Sequence, residues 1–288
     1  MQTYITHAEG HCTLTLTAHT GLTLPAIGLG TYGLRGFAGS DAVRTAMETG
    51  YRLVDSAFNY ENEAAIAVGC RASSVDRSEV LFTTKLAGRH HAYDKATTAV
   101  EESVLRSGLG HLDLVLIHWP NPSQGLFVEA WKALIDARER GLIRHIGVSN
   151  FLPEHLETLE EETGVRPEVN QIELHPYFAQ EDALAFHTEK GIITQAWSPI
   201  GRAGSLLDEA PIVDTAAAHG ITPTQAVLAW HVRRGALPLP KSADAKRQAE
   251  NLAAAEVVLT DDEVAAISSL SRIDGRRRNQ DPAVYEEF

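Results

Sequence analysis

Four residues with acid–base chemistry fall at comparable places in the chain. Asp55 closes the run YRLVD, Lys85 follows VLFTT, His118 closes LDLVLIH, and Tyr60 stands a few residues past Asp55 in VDSAFNYENE. A phenol has an ordinary pKa of about 10, so at neutral pH it keeps its proton and is a poor acid until its phenolate is stabilised. An ammonium beside it stabilises that phenolate, a carboxylate keeps the ammonium charged and oriented, and an imidazole can hold an oxygen by a hydrogen bond. Such a set suits delivery of a proton to an oxygen that is gaining charge. Taken singly, an Asp, Lys or His after a strand reads equally well as a cap or a satisfied core polar group. Taken together they do not, because buried ionisable groups are costly without partners. Asp55, Lys85 and His118 would have to stabilise one another or a shared neighbour, and Tyr60 is placed to be that neighbour.

The elements that must position them are legible as eight short β-rich runs, each leading into a longer helical pattern: AIGLG, YRLVD, VLFTT, LDLVLIH, IRHIGVS, EVNQI, IITQAW and LPLPK. Strands apolar on both faces and separated by helices imply a parallel sheet, and eight such units closing on themselves make an α/β (β/α)8 TIM barrel, which typically needs roughly 250 residues. Ahead of it, CTLTLTA from Cys12 to Ala18 alternates like a half-wet strand, and a second extended run from Leu22 completes an N-terminal β-hairpin. Helix punctuation supports the scheme: a start at Ser40 with a stop at Gly50, an apolar stripe from Phe127 to Ala137 ending at Gly141, and Thr222-Pro223 to Gly235. Thr260 with Glu263 makes a capping box for an extra C-terminal helix, followed by a tail. No linker or composition step divides residues 1–288, so one domain is expected. In a barrel the C-terminal strand ends share one mouth, and there this sequence places Asp55, Lys85, His118, Ser149-Asn150, Gln171, Trp197 and Lys241-Ser242.

Bulk properties narrow the function classes. A net charge of −13 disfavours nucleic acid and anionic membrane as partners. The one compact basic patch, Arg276-Arg277-Arg278, lies beside Asp274, Asp281 and Glu286-Glu287 and reads as a solvated tail or a local anion clamp. Two cysteines, Cys12 and Cys70, form no CxxC pair and suggest neither zinc nor a disulfide framework. No secretory signal and no membrane span of ~18 apolar residues is present, so a cytoplasmic protein is expected. His90-His91 lacks metal-ligand spacing and reads as surface; no metal is expected. Gly28 to Gly33 matches GxGxxG after a strand, but a Rossmann site needs its helix to open within the motif, and here the helix signal waits until Ser40. The segment is instead expected to wall the mouth, with Tyr32 facing the pocket.

Asp55 with Tyr60, Lys85 in TTKL and His118 in LIHWP together resemble the Asp, Tyr, Lys, His tetrad of the aldo-keto reductases. GVSN at 147–150, NQIELHP at 170–176 and PKS at 240–242 occur in the same order, and the resemblance runs from about Leu22 to about Asn251. LIHWP, NQIELHP and Trp197 point to the bacterial branch typified by 2,5-diketo-D-gluconate reductase. The resemblance implies NADPH-dependent reduction of a small-molecule aldehyde or ketone to an alcohol, with Tyr60 as proton donor and His118 on the carbonyl oxygen. For the cofactor it implies Gly30, Thr31, Asp55, Ser149, Asn150, Gln171, Trp197 as stacking platform, Ser198, Pro199 and Gly201. Lys241, Ser242 and Arg247 would clamp a 2′-phosphate, with Glu250 and Asn251 near the adenine. Two cations and a hydroxyl favour NADPH over NADH, although Asp244 sits within the clamp. The substrate pocket would be lined by Tyr32, Phe58, Trp119, Tyr285 and Ala87, where relatives often carry a bulky aromatic. A monomer is the family default. The alternative is a non-catalytic, NADPH-binding redox sensor on the same fold, against which the intact tetrad counts.

Overall fold

The computed structural model describes the backbone of residues 4–8 and 11–13 and the complete residues 14–201 and 204–287. Three antiparallel strands, β1 (Tyr4–Ala8), β2 (His11–Thr17) and β3 (Thr23–Pro25), precede the barrel. The expected hairpin is β2 and β3; β1 is an addition to it, and the side chain of Cys12 lies outside the described residues.

Eight parallel strands follow, β4 (Leu29–Gly30), β5 (Leu53–Asp55), β6 (Leu81–Leu86), β7 (Leu112–Ile117), β8 (Ile143–Ser149), β9 (Val169–Glu173), β10 (Ile193–Trp197) and β11 (Ala236–Pro238). Each expected run overlaps one of them. The ends of the sheet meet: Gly28 N–H donates to Pro238 O at 3.2 Å and Gly30 N–H to Pro240 O at 3.1 Å, with a bridge between Gly30 and Lys241. Gly30 is required at this seam, since a Cβ there would lie 2.6 Å from the Leu239 carbonyl oxygen.

Side-chain alternation along these strands decides what reaches the mouth. Leu53, Leu114, Leu116, Val169, Ile193, Leu237 and Leu239 pack inside the barrel, on a floor made by Leu16 and Leu24 of the hairpin. Val54, Phe82, Val115, Ile117, Ile146 and Val148 face outward against the helices. Continuing the inward parity gives Asp55, His118, Gln171 and Lys241 two residues beyond Leu53, Leu116, Val169 and Leu239, Trp197 four beyond Ile193 and Lys85 four beyond Leu81, while Ser149 lies two beyond Gly147. The inner top of the barrel is therefore polar by register, above an apolar base.

The helices are α1 (Gly36–Thr49), α2 (Glu63–Ala72), α3 (Tyr93–Ser107), α4 (Phe127–Glu139), α5 (Pro153–Thr163), α6 (Glu181–Lys190), α7 (Ala210–His219), α8 (Pro223–Arg233), α9 (Ala245–Ala253) and α10 (Asp261–Ser268). Thr260 forms the expected capping box with Glu263, and Thr222, expected as a cap, also forms a box with Gln225. The Ser40 start is corrected: α1 opens at Gly36, and Ser40 is buried inside it, because Ser40 fits between this helix and Gly69 of α2. The helix still opens beyond GLGTYG, so the N-terminal N–H groups a Rossmann site needs are not within the motif.

Several histidines are buried and neutral. His187 is satisfied by Asn170 Nδ2 and Thr194 Oγ1, each at 2.9 Å, and His231 Nε2 donates to Pro199 O at 2.9 Å. Burial pushes His187 down to about 4 and His231 to about 3 from an ordinary 6.5. Since the unfolded chain binds protons below 6.5 that the native state refuses, native stability should fall as pH drops from 6.5 toward 4, on the order of 2 kcal/mol per histidine. Urea unfolding midpoints measured across that range test this. His187→Gln should flatten the dependence, and a flat wild-type curve would contradict the assignment.

Candidate active site

The mouth opens into a cavity of about 690 Å³ walled by Gly30, Thr31, Tyr32, Asp55, Tyr60, His118, Trp119, Ser149, Asn150, Gln171, Trp197, Ser198, Pro199, Lys241 and Tyr285, together with Asn59, Arg278, Gln280 and Glu287. At its base the Lys85 ammonium donates to both oxygens of Asp55, at 2.7 and 2.8 Å, and to Ser56 O at 2.8 Å. Lys85 is not after its strand, as the sequence suggested, but within β6, next to last. Asp55 Oδ1 also accepts from Gln171 Nε2 at 2.8 Å, and Gln171 Nε2 donates to Gln195 Oε1 at 2.9 Å. Burial pulls the Lys85 ammonium below its ordinary range, opposed by the charge and hydrogen bonds of Asp55 and the charge of Glu287.

Tyr60 ends a single 3-10 turn, Phe58–Tyr60, that follows β5. Lys85 Nζ lies 5.0 Å from the centroid of its ring, the His118 ring is at 6.0 Å and the Tyr32 ring at 5.2 Å. Burial first, then the charges of Asp55 and Glu287, push the phenol well above its ordinary 10.0. The expectation that the neighbouring ammonium makes the resting phenol acidic is thus corrected. Lys85 spends its donors on Asp55 and Ser56, desolvation dominates at Tyr60, and the hydroxyl keeps its proton.

Above this base, Trp197 Nε1 donates to Asn150 Oδ1 at 2.7 Å, while Asn150 Nδ2 donates to His118 O and Ser149 Oγ, both at 3.0 Å. Ser149 Oγ donates to Gln171 O at 2.8 Å. Asn150 and Ser198 hold left-handed backbones, φ 62° and 50°, which aim these groups at the cavity. The indole of Trp197 is therefore locked in orientation, half-buried, on the cavity wall.

Not every expected residue reaches the wall. Phe58 points away from the mouth, stacking on His90 at 4.9 Å with the Arg106 guanidinium 4.5 Å from its ring centroid. Ala87 is fully buried and does not widen the cavity. The C-terminal tail covers that side instead, reaching Gly88 through the Glu287 carboxylate at 2.9 Å. Tyr285 and Trp119 do line the cavity, with ring centroids 4.4 Å apart. Gly201 lies off the wall, its carbonyl accepting from Arg277 Nη1 at 2.8 Å.

Of the clamp residues, Lys241 lines the cavity and has no carboxylate partner among the described residues. Ser242 is buried and bonds Asp244 O at 3.2 Å, while Arg247, Glu250 and Asn251 lie farther along, on α9. Asp244 has a local role that the sequence reading missed: its carboxylate accepts the Arg247 N–H at 2.9 Å and caps α9.

Three further corrections concern charged residues. His91 is not at the surface but buried, and burial pushes it down to about 4. Glu286 and Glu287 are not a solvated end: Glu286 accepts Ser123 N–H at 2.7 Å, and Glu287 is buried against His118. The arginine run divides, with Arg277 N–H on Glu173 at 2.9 Å, Arg276 near Asp281 at 3.8 Å, and Arg278 at the cavity rim. The pairing of Glu287 with His118 carried no sequence signal, because the two are far apart along the chain, and the basic run did not single out Arg278 from its neighbours.

The family model described as "Aldo/keto reductase family" matches residues 26–272. The chain is 50% identical to 2,5-diketo-D-gluconic acid reductase B of a Corynebacterium species, over 95% of this chain and 98% of that one. It is 38% identical to morphine 6-dehydrogenase of Pseudomonas putida, over 95% and 97% respectively. Among solved structures it is similar to a Gox0644 variant in complex with NADPH, with TM-score 0.90 and 40% identity over 96% of this chain and all of that one. A Bombyx mori aldo-keto reductase in complex with NADP superposes with TM-score 0.86 at 32% identity, over 94% and 97% of the two chains. With eight parallel strands closed at Gly30 and Lys241, a polar mouth set by strand parity, and these likenesses along almost its whole length, the chain belongs to the aldo/keto reductase family.

Proposed function

We propose that this protein reduces aldehydes or ketones to alcohols with NADPH, and that Tyr60 is its general acid. The observation that carries this reading is the buried Asp55–Lys85 pair, with the ammonium 5.0 Å from the ring centroid of a tyrosine that lines the cavity at the barrel mouth. When bound, the reduced nicotinamide supplies a hydride, and so an electron pair, to the carbonyl carbon. The carbonyl π electrons move to oxygen, and Tyr60 O–H delivers its proton there, so an alcohol leaves. Because the resting phenol holds its proton tightly, the Lys85 ammonium beneath it matters as charge builds on the phenolate, which is transition-state stabilisation. His118 positions the carbonyl oxygen.

The chain fits a dinucleotide on its own evidence. Trp197 offers an indole face whose N–H is already committed to Asn150, suiting a flat ring. Lys241 offers an ammonium without an acidic partner among the described residues, suiting a phosphate, with Arg247 on the adjoining helix. On this reading Ser149, Asn150 and Gln171 would hold the nicotinamide side and Ser198 and Pro199, which line the same cavity, its continuation, with Gly201, Glu250 and Asn251 assigned by the resemblance alone. The homologue names support carbonyl and hydroxyl substrates, and no helix among the described residues is long and apolar enough to cross a membrane. The same reading takes residues 1–288 as one domain acting as a cytoplasmic monomer.

Turnover of a diverse carbonyl panel with NADPH and NADH, followed at the reduced-nicotinamide absorbance, tests the activity. Tight NADPH binding without turnover of any carbonyl would favour a sensor. Tyr60→Phe should leave folding and NADPH binding nearly intact and lower kcat by at least ~10²-fold; near-normal turnover would remove Tyr60 from its role. Asp244→Asn should keep the helix cap and increase the preference for NADPH over NADH several-fold, by removing a negative charge beside the phosphate cations. Asp244→Ala should instead lower stability by about 1 kcal/mol. Equal stability of the two variants in urea would overturn the capping assignment.

A further inference from the structure

Glu287 is held by more donors than a tail carboxylate needs. Its Oε1 lies 2.7 Å from His118 Nδ1 and accepts from Asn59 Nδ2 at 2.7 Å, while Oε2 accepts from Gly88 N–H at 2.9 Å. Its backbone is clamped as well, N–H to Asn121 Oδ1 at 2.9 Å and carbonyl from Asn121 Nδ2 at 2.7 Å. Close approach is possible because residue 88 is glycine, whose Cβ would lie 2.6 Å from the Glu287 carbonyl. Burial raises a carboxylate's affinity for protons, but the charge and contact of His118, with the Gly88 and Asn59 donors, outweigh it and hold Glu287 below its ordinary range. The group is ionised at neutral pH.

We propose that Glu287 is a positioning residue for His118, holding the ring with Nδ1–H toward the tail and thereby presenting His118 to the carbonyl oxygen as an imidazolium Nε2–H donor. This rests on the carbonyl-reductase reading above. The ring is not aligned for a straight Nδ1–H···O bond, yet a bare nitrogen lone pair 2.7 Å from a carboxylate oxygen would be repelled, so Nδ1 carries hydrogen. A neutral ring protonated at Nδ1 has a bare Nε2 and can only accept. Donation to a carbonyl oxygen then requires both nitrogens protonated, which a paired carboxylate favours. The other groups facing His118 do not supply that charge balance. Tyr60 keeps its proton, Asp55 and Lys85 neutralise each other, buried His91 is pushed down to about 4, and Glu286 is turned to Ser123. A cationic donor also stabilises the developing alkoxide more than a neutral one does.

Nitrogen-15 NMR of the imidazole side chains of the wild-type protein at pH 7, with His118→Gln to assign the signal, tests the proposal directly and without turnover. We expect both ring nitrogens of His118 protonated. Glu287→Gln should leave one of them bare and lower kcat about tenfold, with the NADPH Kd unchanged within about twofold and the melting temperature retained. A wild-type His118 protonated only at Nε2 would overturn the proposal, as would unchanged kcat in Glu287→Gln. Absence of turnover in the wild-type protein would instead remove the reductase reading, and the NMR result would still decide the pairing.

Discussion

The ion pair of Asp55 and Lys85 is the constraint around which the rest of the mouth is organised. Both side chains are almost completely buried, and the cost of taking two charges out of water is met only by good geometry and further donors. That geometry needs β5 and β6 in register, Gln171 on β9 as another donor to the carboxylate, and the Ser56 carbonyl as a further acceptor for the ammonium. The pair therefore exists only in the closed barrel. Removing either member would leave an uncompensated buried charge, costing about 3–5 kcal/mol.

The same burial sets the protonation of Tyr60. Burial, with the charges of Asp55 and Glu287 nearby, disfavours a phenolate at rest, so the hydroxyl holds its proton at physiological pH. What the ammonium contributes is felt as negative charge moves onto the ring oxygen, a differential interaction of the kind that lowers a barrier. Acidity of the resting group and competence as a proton donor are thus separate properties here.

The tail shows how a peripheral segment enters the chemistry. Tyr285 stacks on Trp119, Glu286 satisfies Ser123 and Glu287 meets His118, so three successive residues dock on the loops after β6 and β7. Small residues at 87 and 88 leave the room that the tail fills, and Asn121, in a left-handed conformation, grips its backbone. Farther along the chain, Asp244 caps α9 by accepting the Arg247 N–H, so its charge serves the helix end.

The sequence by itself determined the eight strands, the hairpin, most caps and the polar ring of the mouth, because each follows from local periodicity or from parity along one strand. Asp55, Lys85 and His118 were legible for that reason, and Tyr60 followed by its spacing from Asp55. Only the tertiary structure decided where Phe58 and Ala87 point, that His91 is buried, and that Glu287 pairs with His118 across more than half the chain. Those outcomes depend on which distant segments share a volume and on the desolvation that follows. Neither is encoded in the spacing of nearby residues, and so the phenol that the sequence suggested would be acidified is instead held protonated by its burial.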